Sequence, residues 1–99
     1  MSNLDLYPIP APGVVSRVVD REAVLVSPAQ GKVRVLNEVG ARIWVLADGS
    51  RTIREVAQCI VAEYSVEMAE AETDVQDFLR KLIERGIVQL VEHPEAATK

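Results

Sequence analysis

Polar and apolar residues alternate with a period near two in the first third of the chain, which is typical of β-strands. Val14–Val19 and Ala23–Val26 are rich in β-branched residues, and Lys32–Asn37 alternates most clearly. Such alternation predicts strands with one buried face and one wet face. Because the connections are short, including a turn at Ser27–Gly31, we expect three strands in an antiparallel meander.

The hydrophobic period changes to that of a helix at Asn37, a residue that favours the N-cap position. Apolar residues then recur at steps of three and four, which predicts a first helix that ends at Asp48–Gly49. Thr52 and Glu55 have the spacing of a capping box, so a second helix is expected to begin there.

A third helix is predicted from about Ala69 to Arg85, with Gly86 as its C-cap. Ile87–Val91 is short, apolar and β-prone, and is therefore expected to form a terminal strand. The predicted fold class is α+β, with a three-stranded antiparallel sheet followed by a three-helix bundle. The two short helices, longer third helix and β-like segment resemble a winged helix-turn-helix.

The two ends of the chain differ in composition from the middle. Prolines at positions 8, 10 and 12 predict an extended N-terminal arm over residues 1–13 that is neither strand nor helix. Such an arm could also serve as a proline-rich ligand for a partner. Residues 14–91 are expected to form the domain, and the polar C-terminal tail, residues 92–99, is expected to fray.

Composition narrows the classes of function. The chain has 99 residues, 48% of them apolar, and a net charge of −4, which fits one globular domain and disfavours a nucleic-acid partner. Cys59 is the only cysteine, so an intramolecular disulfide is excluded. Neither a signal segment nor a membrane-spanning apolar run is evident, and we expect a cytoplasmic location without a membrane partner.

Candidate catalytic chemistry is sparse. His93 is the only histidine and precedes Pro94 in the polar tail, while Cys59 has no basic residue one helical turn away to activate its thiol. Carboxylates near the start of the third helix suit the positive end of the helix dipole and lack the spacing of a calcium loop. We therefore expect no catalytic residue, no metal site and no cofactor.

An ordered set of short motifs resembles the PqqD-like family over nearly all of residues 14–91. The motifs are Glu22–Val26, Leu36–Trp44, Asp48–Ile53, Glu63–Tyr64, Val75, Phe78, Leu79, Leu82 and Gly86–Val88. The resemblance implies a three-stranded sheet packed on three helices. It also implies a recognition element for ribosomally made, post-translationally modified peptides (RiPPs). The stretch Asn37–Trp44 is more similar to the broad family than to the members that serve pyrroloquinoline quinone synthesis.

The resemblance further implies two partners: the leader of a precursor peptide, and a modifying enzyme such as a radical SAM protein, a cyclase or a leader peptidase. A three-strand meander leaves edges with unpaired N–H and C=O groups that a peptide strand can extend. The resemblance implies that the leader adds beside the third strand, in a groove between that strand and the third helix. The predicted peptide-binding residues are Lys32, Val33, Arg34, Val35, Leu36, Asp74, Phe78, Lys81, Leu82 and Arg85.

Within this set, two valines and two helix residues are candidate pocket walls, namely Val33, Val35, Phe78 and Leu82. Phe78 lies at the edge of its apolar stripe, so a role in the core is an equal alternative. The four basic residues are candidates to meet leader carboxylates. Two other classes of function stay open at this point: a winged helix-turn-helix DNA-binding protein, and an interaction subunit that forms a homodimer through the same strand.

Overall fold

The computed structural model describes residues 3–27 and 30–95 of the chain. Residues 1–2 of the predicted arm, 28–29 of the predicted turn and 96–99 of the predicted tail lie outside this part. The elements are a 3-10 turn (Asn3–Asp5), β1 (Tyr7–Pro10), β2 (Val15–Val19), β3 (Glu22–Ser27), β4 (Lys32–Leu36), α1 (Glu38–Leu46), α2 (Ile53–Tyr64), α3 (Met68–Glu84) and β5 (Val88–Val91). The predicted α+β fold is confirmed, with the sheet of β2, β3 and β4 preceding the three helices.

The three-stranded sheet is an antiparallel meander with β3 in the centre. The centre strand places Ala23 and Leu25 on an inner face, where both are buried and where α1 packs. The register pairs Leu25 with Arg34, and Val24 with Val35. Since cross-strand partners lie on the same face, Arg34 belongs to the inner face and Val35 to the outer face.

Side-chain caps define where the first two helices begin, as the sequence predicts. The Asn37 Oδ1 accepts a hydrogen bond from the Gly40 N–H at 2.9 Å. At α2, the Thr52 Oγ1 accepts from the Glu55 N–H at 3.1 Å, while the Thr52 N–H donates to the Glu55 carboxylate at 2.8 Å. Together these bonds satisfy amide groups that the first turn of each helix leaves without a helical partner.

The core lies between the inner face of the sheet and the three helices. Each helix buries one stripe, which on α3 consists of Ala71, Val75, Leu79 and Leu82. Trp44 of α1 is 5% exposed and belongs to this cluster. The spacing of the buried positions follows the helical period, so the polar arc of α3 faces away from the core.

The N-terminal prediction is wrong for Tyr7–Pro10, which forms β1 and pairs antiparallel with β5, with Pro8 opposite Leu90. Proline cannot donate to a ladder, but here the prolines occupy every second position. The Gly49 N–H donates to the Pro8 carbonyl at 2.8 Å, so the Pro8 backbone faces away from β5. The intervening residues therefore remain free to pair with β5.

Gly49 bonds through its backbone both to Pro8 of β1 and to Glu95 after β5. At the N-terminus, Asn3–Asp5 forms a short 3-10 turn, which is a second departure from the predicted arm. At the C-terminus, the Glu95 N–H donates to the Gly49 carbonyl at 2.7 Å, so fraying does not extend through the first residues of the tail. Gly49 has φ +88°, and a Cβ there would lie 2.8 Å from the Ile9 Cδ1, so this crossing point requires glycine.

Candidate functional site

The sheet has two open edges, β2 and β4, and a depression lies beside each of them on either side of α1. The β4 groove has a volume of about 330 Å³ and is lined by Val35, Leu36, Asn37, Val39, Gly40, Ile43, Asp74 and Phe78. The β2 cleft has a volume of about 220 Å³ and is lined by Val18, Asp20, Arg21, Glu38, Ala41, Arg42, Val45 and Tyr64. An open edge presents unpaired backbone N–H and C=O groups, which a further strand can satisfy.

The floor of the β4 groove is a close contact between α1 and α3. Phe78 lies so near Gly40 that an added Cβ at Gly40 would be 3.0 Å from the Phe78 Cε1 and 3.3 Å from the Asn37 Oδ1. Only glycine allows the ring to sit this deep against the helix. The half-buried aromatic ring thus forms an apolar surface beside the free edge of β4.

α3 reaches the β4 side of the molecule at two points along its length. Asp74 and Phe78 line it near α1. At the other end, the Gln30 side-chain amide donates to the carbonyl oxygen of Arg85, which ties the β3–β4 connection to the end of α3. Lys81 lies between these points in the sequence, and the spacing of Asp74, Phe78, Lys81 and Arg85 places them on one side of the helix.

β4 divides its side chains between two faces. Val33 and Val35 are each 65% exposed on the outer face, away from the helices. Lys32 and Arg34 share the inner face with buried Leu36. The Nε of Arg34 is buried and has no hydrogen-bond partner among the described residues. A buried donor without an acceptor is unfavourable, so this nitrogen is a feature that a ligand could satisfy.

The structure brings together part of the predicted peptide-binding set. Four of the ten residues line the β4 groove: Val35, Leu36, Asp74 and Phe78. Lys32, Arg34, Lys81 and Arg85 lie on the adjoining strand and helix positions. Val33 and Leu82 do not line the groove. Leu82 is only 3% exposed in the α3 core stripe. Val33 lies on the outer face, as does Val35, but only Val35 reaches the groove.

The α1 wall of the groove is the part that the predicted set omits, namely Asn37, Val39, Gly40 and Ile43. The sequence does indicate that α1 lies beside this edge, because the N-cap Asn37 directly follows Leu36. A helix that begins at the end of an edge strand places its first turn at the end of that edge. Gly40, a residue that weakens a helix, is the second signal.

The β2 cleft differs because Arg42, Glu38 and Tyr64 of its lining already have side-chain partners. The Arg42 guanidinium donates two hydrogen bonds of 2.8 Å to the Glu63 carboxylate, which lowers the pKa of Glu63 and raises that of Arg42. The Tyr64 hydroxyl donates to Glu38 at 3.3 Å. Desolvation and the nearby Glu38 raise the pKa of Tyr64. The Arg42, Tyr64 and Glu38 side chains thus bond within the molecule.

The residues with catalytic potential lie apart from both depressions. Cys59 is half-buried on α2, and His93 is exposed after β5. Over residues 3–27 and 30–95, there is no group of three or more histidine, cysteine, aspartate or glutamate residues arranged to hold a metal ion. Within the same ranges, no helix has the length and apolar character needed to cross a membrane.

A family model described as Coenzyme PQQ synthesis protein D (PqqD) matches residues 22–88. Among solved structures, the chain is similar to TbiB1 in complex with the TbiA(beta) leader peptide. The identity is 36%, over 82% of this chain and 94% of that chain, with a TM-score of 0.77. It is also similar to lasso peptide synthetase B1 complexed with the leader peptide, at 30% identity over 83% and 96% of the two chains and a TM-score of 0.72.

A more distant likeness supports the fold alone. The PqqD truncation of Methylobacterium extorquens PqqCD is 24% identical over 89% of this chain and 93% of that chain, with a TM-score of 0.71. No curated protein matches the sequence.

Proposed function

The chain belongs to the PqqD family, and from that premise we propose that it binds the leader of a ribosomally synthesised precursor peptide as an added strand on β4. The observation that carries the proposal is the apolar β4 groove beside an open strand edge. Two similar proteins, TbiB1 and lasso peptide synthetase B1, are named in complex with leader peptides, which supports the same class of ligand here.

Free energies indicate why both the edge and the groove are needed. Each backbone hydrogen bond contributes about 1 kcal/mol net, whereas ordering each peptide residue costs about 1–2 kcal/mol. Strand pairing alone therefore falls short of the roughly −8 kcal/mol that corresponds to micromolar affinity. Apolar peptide side chains that enter the groove against Phe78 supply about 1.5–3 kcal/mol each when fully buried.

We further propose that the bound peptide is presented to a modifying enzyme, such as a radical SAM protein, a cyclase or a leader peptidase. This domain then contributes recognition, and the partner contributes the chemistry. Such a division fits the position of Cys59 and His93, both of which lie outside the β4 groove.

Backbone methylation of the peptide tests the strand-addition step. The probe is the labelled TbiA(beta) leader peptide, N-methylated at one residue at a time and titrated by fluorescence anisotropy. Only alternate residues of an added strand donate to its neighbour, so we expect affinity losses with a period of two. Loss without this period, or uniform tolerance, would contradict strand addition.

The choice of ligand class has its own test. Random 12-residue peptides displayed on their encoding RNA are selected against the immobilised chain, with the TbiA(beta) leader as a second probe. Recovery of binders whose affinity depends on Phe78 supports the proposal, and failure of both probes overturns it. Sedimentation without peptide reports whether two copies instead pair through β4, since a homodimer would show a mass that rises with concentration.

A further inference from the structure

We propose that Arg34 selects peptides that carry a carboxylate side chain two residues from the apolar residue seated in the β4 groove. This inference rests on the proposed function and specifies the ligand more closely. It begins from the buried Arg34 Nε, which has no hydrogen-bond partner in the described part of the chain. Buried polar side-chain atoms in proteins nearly always have a partner, so an acceptor from the ligand is the expected complement.

The register of the sheet gives the spacing. Arg34 and Leu36 are two residues apart on the inner face of β4, and Leu36 lines the groove whereas Arg34 lies beyond it. In an added strand, side chains directly opposite each other on one face have Cβ atoms about 4.5–5.5 Å apart. A peptide residue opposite Leu36 enters the apolar groove, and the next residue on that face lies opposite Arg34.

Charge favours a carboxylate over a neutral acceptor at that position. Lys32 shares the inner face with Arg34, and exposed Lys81 and Arg85 follow Phe78 at helical spacing at the C-terminal end of α3. The acidic groove residue, Asp74, lies at the opposite end, near α1. An anionic side chain at Arg34 is therefore attracted by several basic groups, and a guanidinium binds a carboxylate with two donors at once.

The test compares peptide selection by three forms of the chain. The same random 12-residue library is selected against the wild type, the Arg34→Gln variant and an Arg17→Gln control. Arg17 is an exposed arginine of β2 that lies on the outer face of the sheet, so it matches Arg34 in residue type but not in location. Circular dichroism verifies that each variant is folded.

We expect wild-type binders to share an acidic residue two positions from an apolar residue, on either side of it. Arg34→Gln should lose this acidic preference, and Arg17→Gln should keep it. In a selected peptide, changing that glutamate to glutamine should weaken binding to the wild type about tenfold, which is typical of a lost charge-assisted hydrogen bond. The same change should have little effect on binding to Arg34→Gln.

If Arg34→Gln does not fold, the glutamate-to-glutamine change in the peptide still tests the inference, because it alters only the ligand. Arg34→Lys then provides a protein variant that keeps the charge without the guanidinium. Binders without an acidic preference, or with one that survives Arg34→Gln, would overturn this inference and leave strand addition intact. Failure to recover any binder would overturn the proposed function, and the inference with it.

Discussion

The two open edges of the sheet carry similar strands, yet their surroundings differ. Beside β2, the polar side chains bond to each other: Arg42 pairs with Glu63, and the Tyr64 hydroxyl donates a hydrogen bond to Glu38. Beside β4, the groove keeps an apolar wall at Phe78, and the adjoining Arg34 Nε lacks an acceptor among the described residues. An exposed edge is therefore not sufficient to indicate a binding site. What distinguishes the β4 side is a buried donor on its edge strand without an acceptor among the described residues, whereas Arg42 and Tyr64 beside β2 are bonded within the chain.

Replacing the aromatic residue of each depression with alanine is expected to give the largest difference in peptide affinity between the two edges. Phe78→Ala removes the apolar wall of the β4 groove, and peptide affinity should fall about 10- to 100-fold, as for loss of a buried aromatic contact. Tyr64→Ala is the matched control in the β2 cleft and should leave affinity unchanged. Fluorescence anisotropy measures both. Equal losses in the two variants would contradict the assignment of the peptide to β4.

Gly40 and Ala41 allow the same comparison on α1, because neighbouring residues face different depressions. Gly40→Ala adds a Cβ 3.0 Å from the Phe78 Cε1, so the ring must shift and change the shape of the groove. We expect peptide affinity to fall about three- to tenfold because the displaced ring changes the groove, while the gain in helix propensity of about 1 kcal/mol offsets the overpacking in the free energy of unfolding.

The matched change, Ala41→Gly, lies on the side of the β2 cleft. It should reduce the free energy of unfolding by about 1 kcal/mol and leave peptide affinity unchanged. Urea unfolding and peptide titration of both variants separate stability from binding. An affinity loss in Ala41→Gly that matched the loss in Gly40→Ala would mean that α1 acts through overall stability rather than through the groove.

Local patterns predicted most of the fold, because they depend on neighbouring residues. Asn37 and the Thr52–Glu55 capping box identify the helix starts without knowledge of the tertiary structure. The strand at Tyr7–Pro10 was missed because its pairing depends on β5, some 80 residues later. Proline argues against a strand only where its missing donor is needed, and the sequence does not show which side of the backbone faces the partner.

The candidate site was predicted only in part for a similar reason. The alternating pattern of β4 places Val33 and Val35 on one face of the strand and Arg34 and Leu36 on the other. It does not indicate which of the two faces lies toward the helices. Here the valines face outward, and arginine takes the inner position usual for an apolar residue. Leu82 belongs to the buried stripe of α3 and faces the core. The three- and four-residue spacing of apolar residues on α3 does not by itself distinguish positions that face the core from positions that face the groove.

The smallest expected effect concerns acid stability on the β2 side. Hydrogen bonds from Arg42 hold the pKa of Glu63 below its ordinary value. A carboxyl whose folded-state pKa is lowered stabilises the fold above its unfolded pKa, and this contribution disappears as the pH falls through the folded pKa. Both side chains are more than a third exposed, so the pair should contribute only tenths of a kcal/mol to about 1 kcal/mol.

We therefore expect the wild type to exceed Glu63→Gln in free energy of unfolding at pH 7. The difference should begin to shrink near the unfolded pKa of about 4.3 and vanish only below the lowered folded-state pKa of Glu63, measured by urea unfolding. Peptide affinity at pH 7 should be the same for both proteins, because Glu63 does not line the β4 groove. A difference in stability that persisted below the folded-state pKa of Glu63, where the carboxyl is protonated, would assign the effect to packing instead of charge. A change in peptide affinity would show that the two edges are coupled through α1, which carries Arg42 toward one depression and Gly40 toward the other.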